Sequence, residues 1–162
     1  MRSYRDYRAN WSGGAATPEL TPSNWNMLAI PAAVLLVMAV LQAISFGKFK
    51  DFLEGINIGW PAVVAVVIIV AEVWGAMSLL RIPMNSALRF LGVTMAVLVT
   101  FFWFIENLFL VTSESAKALG SSGYFGKYLT QVPGWWTVVE ITVLLFWIVF
   151  AAELLKWRPK TA

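Results

Sequence analysis

Residues 60–80 read WPAVVAVVIIVAEVWGAMSLL. A run this long and apolar, opened by a Trp-Pro pair and interrupted by a single acid, has the composition of a helix that crosses a bilayer. Pro61 stands in the first turn, where a residue loses nothing by lacking its N–H. Counted from Trp60 at 1.5 Å per residue, Glu72 lies about 18 Å in, near the midplane of a hydrocarbon core about 30 Å thick. An acidic side chain at that depth costs about 2.5–3.5 kcal/mol on insertion scales, so it needs a partner or a task.

Three more runs of the same kind flank this one, at residues 25–46, 88–111 and 135–155. The first would be about 33 Å long as a helix, with Pro31 in its second turn expected to bend it. Across the 162 residues, 59% are hydrophobic and only 13% charged, with a mean hydropathy of +0.72. A soluble domain usually carries about a quarter charged residues, so the chain is expected to be an all-α, four-helix membrane bundle spanning residues 25–157. Between the first two runs, Phe46, Phe49, Leu53 and Ile56 recur at helical spacing, with Lys48, Lys50, Asp51 and Glu54 on the other faces. That pattern predicts a short helix lying in the interface.

Residues 1–24 form a polar tail with Arg2, Arg5 and Arg8, and residues 158–162 a short one at the other end. Eight Lys and Arg fall on the side of these tails and the turn at Arg81 and Arg89, and four on the other, so both termini are expected to be cytoplasmic in a cytoplasmic membrane. Basic residues distributed in this way give no footprint for nucleic acid. Trp25, Trp60, Trp135, Trp136 and Trp157 fall at helix ends, where interfacial anchors belong. The connection from Ser113 to Gly134 carries Gly120-Ser121-Ser122-Gly123 and then Tyr124, Phe125, Tyr128 and Leu129, a segment able to dip back toward the bilayer.

The polar residues inside the spans are the candidate site. Counting from helix ends puts Glu106 and Asn107 about 7–9 Å, Glu140 about 9 Å and Gln42 about 6 Å below the outer surface, one shared layer, with Glu72 deeper. Two carboxylates in one apolar layer cannot both ionise cheaply. The layer therefore reads either as a pocket for a cation, a proton or a hydroxyl-bearing ligand such as a quinone or lipid head group, or as hydrogen bonds that fix helix packing, with Lys48 and Lys50 able to reach down to it. Ala71 and Gly75 form a small-xxx-small pair beside Glu72 that lets another helix approach closely. Trp74 and the run Phe101-Phe102-Trp103-Phe104 read as lipid contact or core packing, with a flat aromatic ligand as the other reading. Glu153 and Lys156 have the spacing of an ordinary helical ion pair.

Two absences narrow the chemistry. The chain has no Cys and no His. Thiolate catalysis, disulfide exchange and Cys-type metal or iron–sulfur sites are excluded for this chain alone, and the usual haem, copper and zinc ligand is missing. No metal site is expected. No cofactor is demanded, and a quinone is the candidate.

The stretch 46–80, FGKFKDFLEGINIGWPAVVAVVIIVAEVWGAMSLL, resembles the DoxX and MauE-like group of small four-helix membrane proteins. The resemblance is carried by Gly47 and Lys48, Phe49 and Phe52, Pro61, then Glu72, Gly75, Leu79 and Leu80, with Arg81 and Arg89 leading into a third helix that holds Met95. The long N-terminal tail and the Phe-rich third helix with Glu106 lie outside the pattern. The resemblance implies a membrane subunit or accessory protein, associated in some members with quinone-linked oxidoreductases or with maturation of periplasmic dehydrogenases. A thiol-based part in such maturation is incompatible with a chain that lacks Cys.

The expected function is therefore a non-catalytic subunit of a larger membrane complex, or a homo-oligomer, that holds a quinone or lipid in its polar layer. The rival expectation is a small oligomeric proton- or cation-coupled transporter with Glu72, Glu106 and Glu140 as its ion path.

Overall fold

The computed structural model of the chain describes residues 22–113, 123–125 and 132–155. Its helices are α1 (Pro22–Ile44), α2 (Phe46–Gly55), α3 (Pro61–Leu79), α4 (Ser86–Thr112) and α5 (Trp135–Leu154). All but α2 are long and apolar enough to cross a membrane. Their outward faces are apolar: Val63, Val66, Val67 and Val70 of α3 and Val139, Val143, Phe146 and Phe150 of α5 are all exposed. In water such surfaces would be untenable over four helices, so the fold is that of a multi-pass membrane protein. Residues 1–21 of the expected N-terminal tail, the C-terminal tail, Lys117, Lys127, Lys156 and the expected anchor Trp157 lie outside the described residues, whereas residues 22–24, expected in the tail, form the first turn of α1.

The observed spanning helices differ from the sequence expectation by up to three residues at their ends, for reasons visible in the backbone. The Asn85 side chain accepts from Ala87 N–H at 2.9 Å and starts α4 earlier than hydropathy suggests. The last turns of α2 and α3 close in the same way. Asn57 N–H donates to the Glu54 carbonyl and Ile58 N–H to that of Leu53, while Arg81 N–H donates to Ser78 and Ile82 N–H to Met77. In each case the residue after the cap is left-handed, with φ of 60° at Asn57 and 58° at Arg81. At the start of α5 the Thr137 hydroxyl donates to the Gly134 carbonyl at 2.7 Å and accepts from the Gly134 N–H at 3.3 Å.

The spanning helices neighbour one another in chain order, α1 on α3, α3 on α4 and α4 on α5, with a lighter contact between α5 and α1 closing the ring. Hydroxyls within the spans are satisfied locally: Ser78, Thr94, Thr100 and Thr142 each donate to a carbonyl four residues back. Pro31 creates a vacancy of a different kind. With no N–H at that position, the Met27 carbonyl loses its helical donor, and Trp147 Nε1 of α5 donates to it instead at 3.0 Å. The missing amide of Pro31 is thus compensated by a bond between the first and last spans.

Toward the end of the bundle that holds the start of α1 and the end of α5, α3 and α4 approach closely. A Cβ added to Gly75 would stand 2.7 Å from the Ala96 Cβ, and one added to Gly92 would stand 2.7 Å from the Trp74 ring and collide with the Ser78 hydroxyl. Only glycine permits this spacing. The opposite end is covered by α2, which buries Phe49, Phe52 and Leu53 against the bundle and leaves Phe46 and Ile56 half-buried. Phe52 therefore joins the apolar face read from the sequence.

Candidate functional site

Beneath α2, three helices meet at a single carboxyl group, and one loop turn links them to a fourth. Gln42 reaches in from the last turn of α1, Glu72 from the middle of α3 and Trp103 from α4, and each is 0% exposed. Glu72 Oε1 accepts from Gln42 Nε2 at 3.1 Å and from Trp103 Nε1 at 3.0 Å. Gln42 Nε2 also donates to the Tyr124 backbone carbonyl at 2.8 Å, which brings the 123–125 turn into the network. The Tyr124 hydroxyl donates to Glu140 Oε2 of α5 at 2.9 Å.

The helical phase of α4 explains why Trp103 is here. Gly92, Ala96, Val99, Thr100, Trp103, Asn107 and Leu110 all lie on its buried face, following a repeat of three and four residues. The small members at 92 and 96 bring α3 close, and the large member at 103 fills the space that opens above them. Phe49 and Phe52 of α2 pack their rings 5.9 and 6.4 Å from that of Trp103, and Phe102 lies edge-on to it at 5.2 Å. Tyr124 completes the cluster, edge-on to Trp103 at 6.2 Å and 4.7 Å from Phe125. Gly123, with φ of 82°, lies so close to the Phe52 ring that no side chain fits at its position.

The sequence grouped Gln42, Glu106, Asn107 and Glu140 in one layer above Glu72. Gln42 and Glu72, which counting along each helix places at different depths, share a direct hydrogen bond between their long side chains. Asn107 is buried and donates from Nδ2 to the Trp103 carbonyl one turn below. Glu106, on the next face of α4, is half-buried. Glu140 joins through Tyr124. The sequence does not mark Trp103 and Tyr124 as site residues, although the buried repeat on α4 carries the signal for the first. The second rests on a long loop whose docking no periodicity reports.

The electrostatics of the site are those of acceptors without donors. Glu72 Oε2, Gln42 Oε1, Asn107 Oδ1 and Glu106 Oε2 are buried and have no hydrogen-bond partner among the described residues. The orientation of the Gln42 amide is fixed, because the atom that faces both the Glu72 oxygen and the Tyr124 carbonyl must be the nitrogen. No Lys or Arg among the described residues pairs with Glu72, Glu106 or Glu140, and Lys50 pairs with exposed Asp51 at 3.8 Å. A buried carboxyl with no basic partner holds its own proton or a donor supplied from outside the chain. Among the described residues no group of three or more acidic or other metal-binding side chains could hold a metal ion.

Of the expected interface anchors, Trp60, Trp135 and Trp136 are exposed beside this end of the bundle and Trp25 near the other. Compared with protein-family models, with curated proteins and with solved structures, the chain matches none.

Proposed function

We propose that this chain is a non-catalytic, DoxX-like membrane subunit or accessory protein that holds a small amphiphile, a quinone or a lipid head group, at the Gln42–Glu72–Trp103 network. One observation carries the reading. The Glu72 carboxyl is completely buried, one of its oxygens receives two donors, and the other receives none among the described residues. A purely structural acid would be expected to satisfy both oxygens from the protein, since an unfilled buried acceptor costs about 1–3 kcal/mol. On the same reading the four spans lie in the cytoplasmic membrane with both termini cytoplasmic, as the distribution of Lys and Arg supports.

The test is mass spectrometry of the protein extracted gently from its native membrane, with Glu72→Gln beside the unaltered chain. Glutamine keeps an acceptor for Trp103 and Gln42, so the variant is expected to fold and assemble while losing the co-purifying small molecule. Retention of that molecule by Glu72→Gln would overturn the site. Proteoliposome flux that disappears with Glu72→Gln would replace the binding reading with proton- or cation-coupled transport. Topology is checked by single cysteines, since none is native: Trp60→Cys is expected to react with an impermeant reagent on intact cells, and Asn85→Cys not to.

A further inference from the structure

Glu106 stands apart from the Glu72 network. It is half-buried on α4, and neither of its carboxyl oxygens has a hydrogen-bond or ion-pair partner among the described residues, although Oε2 is buried. Around it the outward side of α4 is apolar. Leu98, Ile105 and Phe109 are exposed and Phe102 is half-buried, and these four recur at steps of four, three and four residues, which sets them in one stripe. Glu106 follows Phe102 by four residues and precedes Phe109 by three. The three therefore form one row, with the acid between two phenyl side chains. We infer that this stripe is the docking face for a transmembrane helix of a different protein, and that the helix carries one Arg or Lys that pairs with Glu106. This rests on the reading of the chain as a subunit of a larger complex, and adds which face meets the partner and what the partner carries there.

Charge complementarity fixes the partner's chemistry. An acid at the edge of hydrocarbon is costly, and a buried oxygen without a donor adds to the cost. A guanidinium or ammonium removes both costs together, since it supplies donors and the opposite charge. Phenyl rings on either side favour a cation over a neutral donor. Depth selects a protein over a lipid. Glu106 lies about 9 Å below the end of α4 at Thr112. A lipid ammonium sits in the head-group layer outside the hydrocarbon core, whereas a base on a spanning helix can be set at any depth along it. A second copy of this chain does not supply that base. The one Lys or Arg in the described spanning helices is Arg89, about 26 Å along α4 from Glu106, and Lys48 and Lys50 belong to α2, outside the spans.

Two measurements on the full chain test the pairing. The first uses liposomes and a labelled synthetic transmembrane helix of Leu and Ala that carries one Arg about 9 Å from one end, beside the same helix with Leu in its place. Energy transfer is expected to show the Arg helix bound at least about ten-fold more tightly, the factor set by one charge-assisted hydrogen bond. Glu106→Gln is expected to abolish that advantage and to unfold at the same temperature as the unaltered chain, because Glu106 makes no bond within it. Equal binding of the two helices would overturn the pairing. The second measurement places a photoreactive side chain in the native membrane, with Phe109→benzoylphenylalanine on the stripe and Val67→benzoylphenylalanine and Val143→benzoylphenylalanine on the outward faces of α3 and α5. Position 109 is expected to capture a spanning segment that contains Arg or Lys, and Glu106→Gln to remove the adduct. Capture of a second copy of this chain, or of a segment with no base, would overturn the partner assigned here. Lipid adducts alone at 109, with a protein captured at 67 or 143, would remove this inference and keep the subunit reading. No protein captured at any of the three would remove both.

Discussion

The two halves of the α3–α4 interface solve opposite problems. In one half Gly75 and Gly92 let the helices meet Ala96, Ser78 and Trp74 with no room for another atom. In the other, Glu72 and Trp103 hold the same two helices together through a hydrogen bond and a ring, and buried acceptors remain unfilled among the described residues. Dispersion between closely fitting surfaces needs no specific partner, so the first half is complete within the chain. Hydrogen bonding is complete only when every donor and acceptor is matched, and the second half is not. Close packing is concentrated in the glycine seam, and unfilled hydrogen-bonding capacity among the described residues in the network.

Substitutions in the two halves should therefore differ in kind. Gly92→Leu drives a side chain into Ser78 and Trp74 and is expected to cost about 3 kcal/mol or more, read as loss of folded protein in detergent unfolding. Recovery of near-native stability would show that the seam is not close-packed. Glu72→Leu strips the acceptor from two buried donors and is expected to cost about 2–3 kcal/mol, whereas Glu72→Gln should stay within about 1 kcal/mol. Equal losses from these two would make the carboxyl structural and erase the contrast. Trp103→Phe removes one donor and keeps the ring, with an expected loss of about 1 kcal/mol and a change in ligand retention larger than that loss implies. The smallest effect tests a bond outside both regions: Trp147→Phe should cost about 0.6 kcal/mol, the usual size for such a bond in a membrane. In a Pro31→Ala background, where an amide donor returns to the Met27 carbonyl, the same substitution should cost nearly nothing.

Much of this architecture is legible in the sequence because hydropathy is a local property. The run at 60–80 announces α3, and the Phe and Leu spacing after Phe46 announces α2. Ala71 and Gly75 mark a close approach, although the sequence does not name Ala96 as the residue opposite Gly75. The network is less legible because it depends on the relative height and rotation of helices. Gln42 and Glu72 are far apart in nominal depth yet share a hydrogen bond, and Glu106 and Asn107 are adjacent in sequence yet face different ways. Tyr124 was visible only as an aromatic in a segment able to turn back to the bilayer. Its docking depends on the cleft that α2, α4 and α5 form together.

The carbonyl that Pro31 strands at Met27 has a bearing on how the bundle is built. A chain made from its N-terminus delivers α1 to the bilayer first and α5 last, yet the donor for that carbonyl sits on α5. Until the fourth span arrives, the first one carries an acceptor without its protein donor, and its final hydrogen bonding waits on the end of synthesis. Pro31 thus acts as a marker of completion, holding the earliest part of the chain unfinished until the latest part closes the ring.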